Sequence, residues 1–66
     1  MLKAYRLRMI RKQDGKGICI YYAAETEAEA RRFFEENFSR FYDLERIADV
    51  SRTKSGKAVL SAAYGK

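Results

Sequence analysis

The chain has 66 residues, with 14 lysines and arginines against 9 acidic residues, one cysteine, and neither histidine nor proline. Its length fits one domain over residues 1–66, small enough to bury only about 60% of its unfolded surface. A lone thiol excludes an internal disulfide, and without histidine the usual zinc spacings are absent, so neither metal nor cofactor is expected and stability falls to packing or to a second copy.

The charge is segregated. Residues 1–24 carry six basic groups against one acid (net +5), residues 25–49 eight acids against four arginines (net −4), and residues 50–66 four basic groups (net +4). If the basic ends share a sheet and the acidic middle is a helix behind it, the two faces have opposite sign, and such a field selects partners.

Residues 2–12 alternate, with Tyr5, Leu7 and Met9 on one side and Arg6, Arg8, Ile10 and Lys12 on the other. This period of two predicts a half-buried strand. Asp14-Gly15 is a strong signal for a two-residue hairpin turn, and residues 17–24 predict the returning strand. That turn would pair Met9 with Ile20, Leu7 with Tyr22 and Tyr5 with Ala24 on an apolar face. The other face would pair Ile10 with Cys19, Arg8 with Tyr21 and Arg6 with Ala23.

Thr26-Glu27-Ala28-Glu29 reads as a capping box opening a helix that runs to about Phe38. Ala30, Phe33, Phe34 and Phe38 fall on one helical face and are expected in the core against Tyr5, Leu7, Met9, Ile20 and Tyr22. Glu27–Arg31, Arg31–Glu35 and Arg32–Glu36 are spaced for pairing along the opposite face. Residues 41–53 fit a strand interrupted at Arg46 better than a short helix. Lys54-Ser55-Gly56-Lys57 suggests a turn, and the alternation of Ala58, Leu60, Ala62 and Tyr64 a final strand. The expected fold is α+β: an antiparallel sheet of three to four strands (ββαβ or ββαββ) with one helix packed on one face.

Enzyme chemistry finds little support. The commonest general base is missing, and Cys19 lacks an evident base partner, which makes it a tolerated strand residue or a partner contact. The glutamates of the helix sit at pairing distance from arginines, as on a solvated face. Asp14-Gly15-Lys16-Gly17 lies between strands and is too short for a phosphate loop. No apolar run is long enough to span a bilayer, and the basic opening residues are not followed by a leader-type apolar stretch, so a cytoplasmic protein without membrane contact is expected.

One constellation stands out. Arg6, Arg8 and Tyr21 on a solvent-facing sheet suit a nucleic acid, since arginine binds phosphate and stacks on bases while tyrosine offers a stacking plane. Lys12 and Lys16 at the hairpin tip would extend the track, and Lys54 and Lys57 would join it if the last strand enters the sheet. The same face, with Ile10, Cys19 and Tyr21, also suits a protein interface, including a homodimer through the face or an edge strand.

The Met-Leu-Lys start, the tight hairpin and the helix opening Glu-Thr-Glu-Ala-Glu-Ala give the chain a general look similar to small proteins of phages and conjugative elements. That resemblance implies an accessory DNA-binding factor or an inhibitor of a host enzyme, anti-defence proteins included. Inhibitors that mimic DNA are acidic overall, whereas this chain is basic; an acidic helix would then be the blocking face. The resulting expectation is a non-enzymatic nucleic-acid-binding accessory module, with a protein-binding accessory or inhibitor as the alternative.

Overall fold

Leu7 and Met9, both fully buried, lie in the middle strand of a three-stranded antiparallel sheet. The computed structural model describes residues 1–65, in the order β1 (Lys3–Arg11), β2 (Gly17–Ala24), α1 (Glu27–Asn37), β3 (Tyr42–Asp49) and α2 (Lys54–Tyr64). The sheet order is β2-β1-β3. The α+β class and the antiparallel sheet agree with the sequence reading; the single helix does not, because the described residues form two.

The β1–β2 turn is longer than expected. Lys12 to Gly15 form a four-residue loop closed by the Arg11 amide donating to the Lys16 carbonyl (2.8 Å). The Gly15 amide donates to the Arg11 carbonyl (2.8 Å), and Gly15 then reverses the chain at φ 73°, the left-handed region that glycine enters without steric penalty. The Asp14 carboxylate accepts from the Lys16 amide (3.1 Å) and fixes the exit. Tyr5 therefore opposes Tyr22, Leu7 opposes Ile20 and Met9 opposes Ile18. On the other face Arg6 opposes Tyr21, Arg8 opposes Cys19 and Ile10 opposes Gly17. The slip from the expected register is two residues, and because side chains alternate with period two, every residue keeps its face.

Helix α1 begins as the sequence indicates. The Thr26 hydroxyl accepts from the Glu29 amide (3.2 Å), while the Glu29 carboxylate reaches back to the Glu25 amide (2.7 Å), one residue beyond the usual box. Ala30 and Phe34 are buried against Tyr5, Leu7, Met9 and Ala24. Phe33 stacks on Tyr22 with centroids 3.9 Å apart, and Phe38 meets Tyr42 edge-on at 6.1 Å. Of the three pairs expected on the outer face, Glu27–Arg31 closes, at 3.5 Å; the other two do not.

Strand β3 confirms the strand reading of the 41–53 region over residues 42–49, with an irregularity that explains Arg46. Arg8 opposes Arg46 but Met9 opposes Leu44, so Glu45 is an extra residue. Such a bulge switches the face of everything beyond it. Leu44 and Ile47 both pack toward the core, and Arg46 turns to the opposite side with Arg8.

The expected turn at 54–57 and final strand at 58–64 are instead one helix. The Thr53 hydroxyl caps it by accepting from the Gly56 amide (3.0 Å). Four alanines and leucines within Lys54–Tyr64 raise helix propensity, which outweighs a short run of alternation. The helix packs on β1 and β2 and does not touch α1. Tyr64 is anchored by its hydroxyl, which accepts from the Leu2 amide (2.7 Å). Ala4, whose side chain lies on the face opposite Leu7, is fully buried at this end of the sheet, and its amide donates to the Ser51 hydroxyl (2.9 Å). Ser51 in turn donates from its hydroxyl and amide to Asp49 (2.6 and 3.0 Å), which holds that carboxyl below the ordinary aspartate range.

Gly56 makes this docking possible. A Cβ at that position would lie 1.7 Å from the Val50 carbonyl oxygen, a contact no side chain tolerates. Gly56→Ala is therefore expected to push α2 off the β3 exit, lowering the thermal midpoint and the hydrogen-exchange protection of α2 amides while leaving those of β1 protected. An unchanged midpoint and unchanged protection would contradict this packing.

Candidate nucleic-acid interface

Helix α1 covers one face of the sheet, and α2 reaches the other only at the Ala4 end. The remainder of that second face is open. It carries Arg6, Arg8 and Ile10 from β1, Cys19 and Tyr21 from β2, and Arg46 and Ala48 from β3. Arg6, Arg8, Arg46 and Cys19 line a shallow cleft of about 200 Å³. Three arginines from two neighbouring strands thus share one cleft, and Tyr21, 40% exposed, stands opposite Arg6.

The guanidinium groups are not equivalent. Arg8 donates through Nε to the Glu45 carboxylate, and this bond raises its already high pKa, so it stays charged throughout any working range. Arg6 and Arg46 have no acidic partner within 4.0 Å among the described residues. A guanidinium with unspent donors offers a planar fork to a phosphate or carboxylate. The bulge has a direct consequence here: it brings Glu45 to Arg8 and delivers Arg46 to the same cleft.

The remaining sequence-predicted residues are spread out. Lys12 and Lys16 lie at the two ends of the hairpin loop, where Lys12 pairs loosely with Asp43 (3.8 Å) and Lys16 is exposed, with no acidic partner within 4.0 Å among the described residues. Lys54 and Lys57 are not sheet residues. They occupy the first turns of α2, exposed, beyond the Asp49 end of β3. The hairpin lysines and the α2 lysines therefore sit at opposite ends of the sheet, with the arginine cleft between them. Arg46 is the residue that sequence reasoning missed. Its signal was the apolar spacing Tyr42, Leu44, Ile47, two residues and then three, which is the mark of an inserted residue in a strand with one buried face.

The other side of the molecule has the opposite character. Helix α1 exposes Glu27, Glu29, Glu35 and Glu36 against Arg31 and Arg32. Cys19 is exposed beside Arg8, and among the described residues no group of three or more Cys, Asp or Glu is placed to hold a metal. No described helix is long and apolar enough to cross a membrane. Comparison with protein-family models, curated proteins and solved structures finds no match to this chain.

Proposed function

We propose that this chain is a small, non-enzymatic nucleic-acid-binding module that lays its open sheet face along a sugar–phosphate backbone. The convergence of Arg6, Arg8 and Arg46 on one cleft beside exposed Tyr21 carries this reading. Arg6 and Arg46 supply unspent donors to phosphates, Arg8 holds its charge close by, and Tyr21 offers a plane to a base or sugar. Lys16 and Lys12 continue the positive track past the hairpin, and Lys54 and Lys57 continue it past the other end. The acidic outer face of α1 points away and orients the approach.

Binding of this kind is salt-dependent, because each neutralised phosphate releases counterions. Anisotropy of labelled oligonucleotides is expected to show affinity falling steeply between ~50 and ~200 mM salt, and Arg6→Ala/Arg46→Ala to reduce the log–log salt slope by roughly 1.4–1.8, two phosphate contacts' worth. An unchanged slope in the double variant would remove the cleft from the interface.

A second reading rests on the sheet edges. Strand β2 is an outer strand without a single charged residue from Gly17 to Ala24, whereas β3 carries Asp43, Glu45, Arg46 and Asp49 and a bulge. Natural edge strands are blunted by charge or irregularity, and β2 has neither. Antiparallel pairing of two β2 edges would join two copies into a six-stranded sheet. Sedimentation equilibrium at micromolar protein, where this pairing gives a dimer and its absence a monomer, decides the point.

A further inference from the structure

The end of the molecule beyond the hairpin holds a second basic concavity that the arginine cleft does not include. Arg11, Lys12, Gln13, Arg40, Phe41 and Tyr42 line a hollow of about 520 Å³ between the β1–β2 loop and the α1–β3 connection, within the roughly 300–1,000 Å³ range of small-ligand sites. Phe41 is the odd residue in it. Phe34, Phe38 and Tyr42 pack in or against the core and Phe33 stacks on Tyr22, but Phe41 is 64% exposed. An exposed ring in a basic hollow offers a stacking plane beside cations that can meet phosphate.

The backbone that carries the ring is held in place. The Phe41 and Tyr42 amides both donate to the Phe38 carbonyl (3.0 and 2.9 Å), and the Phe41 carbonyl accepts from the Lys12 amide (2.9 Å). The connection is thus tied to the helix end on one side and to the hairpin on the other. The Arg40 guanidinium lies over the Phe41 ring, 5.8 Å from its centroid, and has no acidic partner within 4.0 Å among the described residues. Arg11 is engaged by Asp14 (3.4 Å) and Lys12 by Asp43 (3.8 Å), both through contacts long enough to yield to a stronger anion.

We infer that this hollow takes one unpaired base of a nucleic-acid strand, stacked on Phe41, with the flanking phosphates met by Arg40 and Lys12. The inference deepens the proposed function and rests on it: Lys12 links the hollow to the open sheet face, so a single strand can run from one to the other. An aromatic plane accepts any base by its π-face, and it does so only for a base that is not already stacked within a duplex. The module therefore prefers single strands, while the arginine cleft binds phosphates of either form.

The test compares a single-stranded oligonucleotide with a duplex of equal length by anisotropy at ~50 mM salt, for the wild type, Phe41→Ala, Phe41→Trp and Arg6→Ala/Arg46→Ala. Phe41→Ala is expected to weaken single-strand binding by about 5- to 160-fold, to leave duplex binding and the thermal midpoint unchanged, and to be rescued by Phe41→Trp, which restores a stacking plane. The double arginine variant is expected to weaken both forms. Single-strand affinity unmoved by Phe41→Ala, or single-strand and duplex affinities lowered equally, overturns the base site while leaving the open-face reading intact. Loss with Phe41→Ala alone, and none with the arginine variant, keeps the hollow and overturns the open-face reading. No binding of either oligonucleotide overturns both.

Discussion

Everything in this molecule follows from the burial of one side of β1. Tyr5, Leu7 and Met9 are closed between the flanking strands and α1, and with Ala24, Ala30 and Phe34 they make up the main buried cluster. A chain this short has enough apolar surface for one such layer. Aromatic residues do much of the covering: Phe33 lies flat on Tyr22 and Phe38 stands against Tyr42, each ring closing a gap at the rim of the sheet. With a single helix available for that face, and α2 engaged at the Ala4 end, the second face of the sheet stays open. Its composition is then free to serve recognition, and it is arginine-rich.

The open face is a balanced surface as much as a positive one. Glu45 and Asp43 are drawn to Arg8 and Lys12, so two cations are partly spent within the fold. This neutralisation limits repulsion among Arg6, Arg8 and Arg46, which meet at one cleft, and leaves Arg6 and Arg46 as the groups with most to gain from an incoming anion. The bulge in β3 is the device that makes this possible. Without the extra residue at Glu45, Arg46 would share a face with Leu44 and point into the core.

Much of the fold was legible because each local signal agreed with its neighbours. The alternation in β1 and the apolar stripe of α1 pointed to one core from two independent periodicities, with Phe33 left at its edge on Tyr22, and Thr26 marked the helix start. The hairpin register was misjudged by two residues, since Asp14-Gly15 allows both a two-residue turn and the last half of a four-residue loop, yet an even slip left every face correct. Helix α2 was misread for a different reason. Over Ala58–Tyr64 small apolar residues satisfy a period of two and a helical period equally, and the deciding features, the Thr53 cap and the fit of Gly56 against Val50, are tertiary or require the cap to be weighed above the glycine. Arg6, Arg8 and Tyr21 were placed correctly as neighbours on one face; Arg46 was hidden by the bulge, and Lys54 and Lys57 were carried off the sheet with α2.

The proposed recognition surface is the face of the sheet opposite α1. Titration of the isotopically labelled protein with a short oligonucleotide at low salt, followed through amide chemical shifts, tests it residue by residue. Recognition through the open face gives perturbations concentrated at Arg6, Arg8, Tyr21 and Arg46, joined by Phe41 when the oligonucleotide is single-stranded, with the amides along the outer face of α1, from Glu27 to Glu35, unmoved. Perturbations confined to α1, or none at any residue of the open face, would contradict it.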